Sequence, residues 1–121
     1  MGSAAKSDTA STLKRHIDAV LRGDVEAVLR DFTDDSLIFT PDGVLRGLTA
    51  IRKDTEAFFE NTPAEMMAVL QIIRQDVEED VAYLLWKAEP FVTLAAETYV
   101  VRDSKILAQT FAVLSGGAGA A

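Results

Sequence analysis

His16 is the only histidine in the 121-residue chain, and histidine is the side chain best suited to move a proton near neutral pH. It follows Leu13 by three residues and precedes Val20 by four, so it lies on the apolar face of a predicted helix. Two interpretations of this inward histidine stay open. It is either a catalytic acid or base, or a core residue that one hydrogen bond satisfies.

The aspartates near the first predicted strand are weaker candidates for chemistry. Asp34 and Asp35 are adjacent at a junction between a helix and a strand, where neighbouring side chains point to different sides. Capping and turn stabilisation are therefore favoured over acid–base catalysis by this pair. Asp42 lies between Pro41 and Gly43, in a sequence typical of an ordinary turn.

Metal and cofactor sites have no support in the sequence. The chain has one histidine and no cysteine, and its carboxylates lack the spacing of metal ligands. Neither a glycine-rich phosphate loop after a strand nor a Gly-x-Ser-x-Gly motif is present. The sequence therefore predicts no bound metal and no cofactor.

The bulk composition is typical of one acidic globular domain. The residues are 49% hydrophobic and 26% charged, and the formal net charge is −7. Nucleic acid is not expected as a partner, because 12 basic residues are scattered among 19 acidic ones without forming a basic stripe. No signal peptide and no run of about 20 apolar residues is visible, so we expect a soluble cytoplasmic protein with no membrane association.

The positions of these groups depend on helices in the first half of the chain and strands in the second. Residues 1–10 are small and polar and are predicted to form a flexible arm. Three helices are predicted to follow: one through His16 that ends at Gly23, one capped by Asp24, and one from Thr49 to Asn61. Between the second and the third, residues 36–40 are rich in β-formers and predict a strand.

The second half predicts an antiparallel sheet. Its four β-rich runs cover residues 66–74, 81–88, 91–101 and 106–114. Their short links cannot hold the crossover helices that parallel strands require. The fold class is therefore α+β, with three N-terminal helices on one face of a curved, mainly antiparallel sheet. One domain is expected over residues 11–114, with a flexible tail at 115–121.

Several local phrases and the order of elements resemble the nuclear-transport-factor-2-like superfamily, which includes ketosteroid isomerases, SnoaL-type polyketide cyclases and limonene epoxide hydrolase. The resemblance implies a cone-shaped half barrel whose open mouth admits a small, largely apolar ligand, and a homodimer formed through the sheet. It spans about residues 10–114. The residues that carry it are Gly23-Asp24, Phe32-Thr33-Asp34-Asp35-Ser36, Pro41-Asp42-Gly43, Arg46-Gly47, Ile51-Arg52, Phe58-Phe59 and Arg102-Asp103-Ser104-Lys105-Ile106.

Ketosteroid isomerases are the members closest in spacing, and their three catalytic positions all differ here. The resemblance places His16 where those enzymes have a tyrosine, Thr40 where they have the aspartate base, and Thr98 near their protonated aspartic acid. A threonine hydroxyl is far too weak an acid to supply a base at neutral pH. The usual isomerase base is therefore absent.

The resemblance also indicates which strand residues line the cone. It turns Leu94, Ala96, Thr98 and Val100 inward, together with Gln109 and Phe111 of the last strand. We therefore predict a cavity in which His16 is the catalytic candidate, and Thr40, Trp86, Thr98, Gln109 and Phe111 are the ligand-binding candidates. Trp86 fits a ligand wall and a packed sheet or dimer surface equally well.

The sequence is compatible with two functions. One is a pocket that binds or converts a small apolar molecule as an isomerase, cyclase or hydrolase, three activities that the sequence does not separate. The other is a non-catalytic homodimeric interaction module whose cone is filled by side chains.

Overall fold

The structure is a computed structural model that describes residues 3–115. Within that range the chain forms four helices and six strands. The helices are α1 (Ser3–Arg22), α2 (Val25–Leu29), α3 (Gly47–Asn61) and α4 (Ala64–Ala68). The strands are β1 (Phe32–Thr40), β2 (Gly43–Arg46), β3 (Gln71–Glu78), β4 (Val81–Ala88), β5 (Val92–Arg102) and β6 (Lys105–Ser115).

All six strands belong to one curved, mixed sheet in the order β2-β1-β6-β5-β4-β3. Every neighbouring pair is antiparallel except β1 and β6, which run parallel with Ile38 opposite Gln109. Register shifts interrupt β1, β3, β4, β5 and β6, and such bulges bend strands and increase their twist. The predicted α+β class with a mainly antiparallel sheet is confirmed.

The helix α1 packs its apolar face against the inner face of the sheet. Leu13 is fully buried there, and His16 lies one turn further along the same face. Gly23 ends the helix with a φ of +67°, a left-handed conformation that glycine adopts without steric cost. Asp24 then caps α2 by accepting a hydrogen bond from the backbone N–H of Ala27 at 3.0 Å. The predicted junction of two helices at Gly-Asp is confirmed.

The predicted flexible arm is wrong for residues 3–10, which form the first turns of α1. Thr9 is fully buried, and the carbonyl oxygens of Ala5 at 2.9 Å and of Glu79 at 2.7 Å share the single hydrogen that its hydroxyl donates. The helical period of apolar residues is missing here, because the contact between this part of α1 and the β3–β4 turn is made by a threonine rather than by an apolar residue. Met1, Gly2 and residues 116–121 of the predicted tail lie outside the described residues, and Ser115 ends β6.

Two short elements also differ from the prediction. The run that was predicted as a strand from Met66 begins instead as the helix α4, because the Ala-Glu-Met-Met-Ala sequence after Pro63 consists of good helix formers. The strand β3 starts at Gln71 and continues to Glu78, through residues predicted to form a link. The strand β2 was not predicted, since its four residues are too few to show a period.

Among the described residues, no helix is both long enough and apolar enough to cross a membrane.

Candidate functional site

A cavity of about 150 Å³ lies between the helices α1 and α3 and the inner face of the sheet. Apolar and aromatic side chains form most of its wall, as is usual for small-molecule sites. Six aromatic side chains line it, namely Phe32, Phe58, Phe59, Trp86, Tyr99 and Phe111. Its other polar lining consists of His16, Thr40, Asp54, Thr55, Glu97 and Gln109.

The most concentrated polar feature of this wall is the carboxyl group of Glu97. Its Oε2 accepts a hydrogen bond from Trp86 Nε1 at 2.7 Å. Its Oε1 accepts one from Gln109 Nε2 at 3.0 Å and another from the Tyr99 hydroxyl. All four residues are buried, so three strands hold one carboxyl group in a fixed orientation.

The sheet register explains why these side chains meet. Alternation along β5 turns Glu97 and Tyr99 to the same inner face. Gln109 on β6 lies opposite Tyr99, and Trp86 on β4 lies opposite Ala95, so both are diagonal neighbours of Glu97. The cluster therefore depends on three strands in register and on no single stretch of sequence.

Burial raises the pKa of the Glu97 carboxyl above its usual range, and the hydrogen bonds from Tyr99, Trp86 and Gln109 oppose that rise. Burial and the nearby Glu97 charge raise the pKa of the Tyr99 hydroxyl, which therefore stays protonated. A carboxylate has about four lone-pair positions, and the three donors occupy three of them. The described residues supply no fourth donor, so one position on Oε2 is left for a proton or a ligand.

His16 lies beside this cluster. Its ring stands edge-on to Phe32 and to Tyr99, with centroid distances of 5.8 Å and 5.4 Å. Burial lowers the pKa of His16 to about 4, so the imidazole is neutral at pH 7. Nδ1 is buried and has no hydrogen-bond partner among the described residues. Nε2 does not belong to this group of buried atoms without a partner. We infer that Nε2 is the ring nitrogen that faces the cavity.

Four of the remaining candidates also line the cavity, but the polar group of one of them makes its hydrogen bonds outside it. Trp86, Gln109 and Phe111 are part of its wall, and so is Thr40. The Thr40 hydroxyl, however, donates to the carbonyl oxygen of Gly43 at 2.9 Å and accepts from the N–H of Asp42 at 3.1 Å. It stabilises the turn between β1 and β2, which weakens its claim as a ligand contact.

The predicted inward orientation of Thr98 is wrong. Thr98 is not part of the cavity wall, and its backbone N–H donates to the Thr110 hydroxyl at 3.2 Å. The error is a shift of one residue, and in a strand a shift of one residue exchanges the two faces. Glu97 and Tyr99 take the inward positions instead.

Sequence reasoning missed Glu97, Tyr99 and Asp54 as site residues. For Glu97 one signal was present, because it is the only charged member of the alternating set Ala95, Glu97, Tyr99 and Val101. An acid in an otherwise apolar strand face is either solvent-facing or functional. Asp54 gave no signal, since an aspartate within a helix is usually a solvated residue.

The domain is similar in sequence to one protein family and in fold to several solved structures. Residues 13–109 match the model of the SnoaL-like domain. No curated protein matches the chain. Among solved structures, the fold is similar to a nuclear-transport-factor-2-like protein from Mesorhizobium loti, with 19% identity, a TM-score of 0.74 and coverage of 91% of this chain and 93% of that one.

Two further similar structures carry names that state an activity. One is a candidate polyketide cyclase from Sinorhizobium meliloti, with 17% identity, a TM-score of 0.69 and coverage of 84% of this chain and 93% of that one. The other is an LEH-like epoxide hydrolase from M. tuberculosis, with 12% identity, a TM-score of 0.68 and coverage of 90% and 84%. At these identities the likeness shows the fold alone.

Proposed function

Because the chain belongs to the SnoaL-like domain family, we propose that it binds a small, largely apolar molecule in the cavity and acts on it by acid–base chemistry without a cofactor. Glu97 is the proposed base. The observation that carries this proposal is a buried carboxyl group that lines an apolar cavity while three donors hold it in place.

The surroundings of Glu97 suit proton transfer. A base is most effective when its pKa lies near the working pH, and burial moves the pKa of Glu97 upward from 4.5 in that direction. The open position on Oε2 can accept a proton from a carbon beside a carbonyl group, which leaves the electron pair on the carbonyl oxygen as an enolate. The same proton returns to carbon or oxygen when the product forms.

His16 is proposed to bind the oxygen that gains charge in this step. A neutral imidazole in the Nε2–H tautomer donates a hydrogen bond, and Nε2 is the nitrogen inferred to face the cavity. Because the pKa of His16 is about 4, the ring cannot donate as an imidazolium at pH 7. Its proposed role is therefore that of a hydrogen-bond donor to an oxyanion.

The similar structures are compatible with this chemistry. Ring closure, which a polyketide cyclase performs, and epoxide opening by water both require a proton to leave one atom and another to be delivered. Steroid isomerisation through a base at position 40 is not proposed, because Thr40 carries a hydroxyl there. The alternative of a filled cone has less support, since His16 and all six aromatic side chains of the wall surround open space.

The pocket is tested with 1-naphthylmethanol, a neutral aromatic probe, by calorimetric titration. We expect measurable binding, and we expect Val20→Trp to weaken it by about tenfold or more because the indole fills space that Val20 borders. Val44→Trp is the matched control, since Val44 is 54% exposed on β2 and is not part of the wall. Equal binding by both variants, or no binding by the parent protein, would contradict the pocket.

We also propose that the protein is a homodimer through the outer face of the sheet. Cross-strand pairs on that face include Leu94 with Leu114 and Ala96 with Ala112, and the two leucines are 40% and 62% exposed. Light scattering should give about twice the chain mass of 13.1 kDa. Leu94→Arg is expected to shift the protein toward the monomer, and a monomeric parent protein would refute the proposal.

A further inference from the structure

The charge distribution around the cavity is one-sided. Among residues 3–115, two carboxyl groups line it, those of Glu97 and Asp54, and no lysine or arginine does. Within the part of the chain that the structure describes, the one titratable nitrogen in the wall belongs to His16, which is neutral at pH 7. The chain as a whole carries a net charge of −7, which adds to a negative potential at the site. An anionic ligand would find no positive partner there.

Asp54 lies at the mouth of the cavity. It is an exposed residue, as are Leu21 and Ile72, which are 46% and 43% exposed and also belong to the wall. Glu97, in contrast, is 9% exposed. The two carboxyl groups are therefore at opposite depths, and only Asp54 can meet a charged group that stays in contact with water.

The Asp54 carboxyl has no ion-pair partner within the described residues, although basic residues are close in sequence. The guanidinium of Arg52 instead binds both carboxylate oxygens of Glu26, at 2.6 Å and 3.0 Å. Lys53 is exposed and is not part of the cavity wall. The cavity wall displaces part of the water around Asp54, and this desolvation raises the pKa of its carboxyl. A cation placed beside Asp54 would offset that cost.

Aromatic rings stand next to this carboxyl on the same helix. Phe58 follows Asp54 by four residues, so the two side chains lie on one face of α3, and both line the cavity. The ring of Phe59 lies 5.7 Å from that of Phe58. An aromatic face attracts a cation, and rings beside an unpaired carboxylate are a favourable environment for an organic ammonium group.

On the basis of the pocket function given above, we propose that the ligand is a small apolar amine that binds as its ammonium ion. Its charge lies beside Asp54 at the mouth, and its apolar body lies among the aromatic side chains of the interior. The reacting carbon would then be the part of the molecule nearest to Glu97. The mouth selects for charge, and the interior selects for an apolar body.

The test uses three probes with one naphthalene body: 1-naphthylmethylamine, 1-naphthylmethanol and 1-naphthoate, titrated at pH 7 by calorimetry. We expect the amine to bind about five- to tenfold more tightly than the alcohol, and the carboxylate to bind most weakly. The advantage of the amine should shrink as ionic strength rises, because the mouth is exposed to solvent.

Asp54→Asn should remove the advantage of the amine, so that the amine and the alcohol bind about equally well. Glu60→Gln is the matched control, since it removes the same charge from an exposed position on α3 outside the wall. Equal binding of amine and alcohol by the parent protein overturns this inference and leaves the pocket function standing. An equal effect of both variants overturns the role of Asp54, and absence of binding by all three probes overturns the pocket function as well.

Discussion

Glu97→Gln is expected to lower the protein-dependent exchange of the α-protons of 2-indanone into D₂O by about 100-fold or more. 2-Indanone is a small apolar ketone, and its α-protons leave only when a base accepts them. Glutamine keeps an acceptor oxygen for the buried donors but cannot take up a proton at neutral pH. The exchange is followed by proton NMR, with the buffer rate subtracted at each pH.

The pH dependence of this exchange follows from the direction of the Glu97 pKa. Burial raises it above 4.5, so the carboxylate is absent at low pH and forms as pH rises through a range above that value. The protein-dependent rate should therefore increase with pH and then level off. Tyr99→Phe removes a donor that stabilises the carboxylate, so the same profile should move to higher pH.

Glu78→Gln is the matched control for the loss of one acid. Glu78 is exposed on β3 and is not part of the cavity wall, so its replacement should leave the exchange rate unchanged. Thermal unfolding of each variant shows whether the fold is intact. A folded Glu97→Gln variant that retains the parent rate would eliminate Glu97 as the base and leave only a binding pocket.

Local sequence was sufficient to place His16, because the helical period relates it directly to Leu13 and to the apolar face. It was insufficient for Thr98 and Glu97. Strand alternation divides β5 into two sets, but which set faces inward depends on what packs against the strand. The Glu97 carboxyl accepts hydrogen bonds from Trp86, Tyr99 and Gln109, and two of these donors lie on other strands.

The antiparallel part of the sheet was predictable from local sequence. Long apolar runs joined by short links leave few alternatives to an antiparallel meander, and four such strands are found as β3 to β6. The parallel pairing of β1 with β6 joins residues about 70 positions apart, as in the hydrogen bond from the Ser36 hydroxyl to the carbonyl oxygen of Ile106. No local pattern encodes such a contact, and a strand as short as β2 shows no period at all.

Gly47→Ala is expected to lower the free energy of unfolding by about 2 to 4 kcal/mol. Gly47 begins α3 with a φ of +83°, which strains any residue that has a Cβ. A Cβ there would also lie 2.8 Å from the carbonyl oxygen of Asp34, a backbone atom within the irregular part of β1. Both costs arise at the junction that orients α3, and urea unfolding measures their sum.

Gly23→Ala separates the two costs. Gly23 also has a positive φ, +67°, but no atom lies within 4 Å of the position of its added Cβ. Its replacement should therefore cost only the backbone strain, about 1 kcal/mol. The additional loss of unfolding free energy in Gly47→Ala then measures the close approach of β1 to α3, the helix that carries Asp54 and Phe58 into the cavity wall.

If the two variants lose equal stability, the Asp34 carbonyl moves aside without cost, and the β1–α3 junction does not fix the mouth of the cavity. A Gly47→Ala variant that is destabilised more and also binds 1-naphthylmethanol more weakly would show that this junction positions α3 for the site.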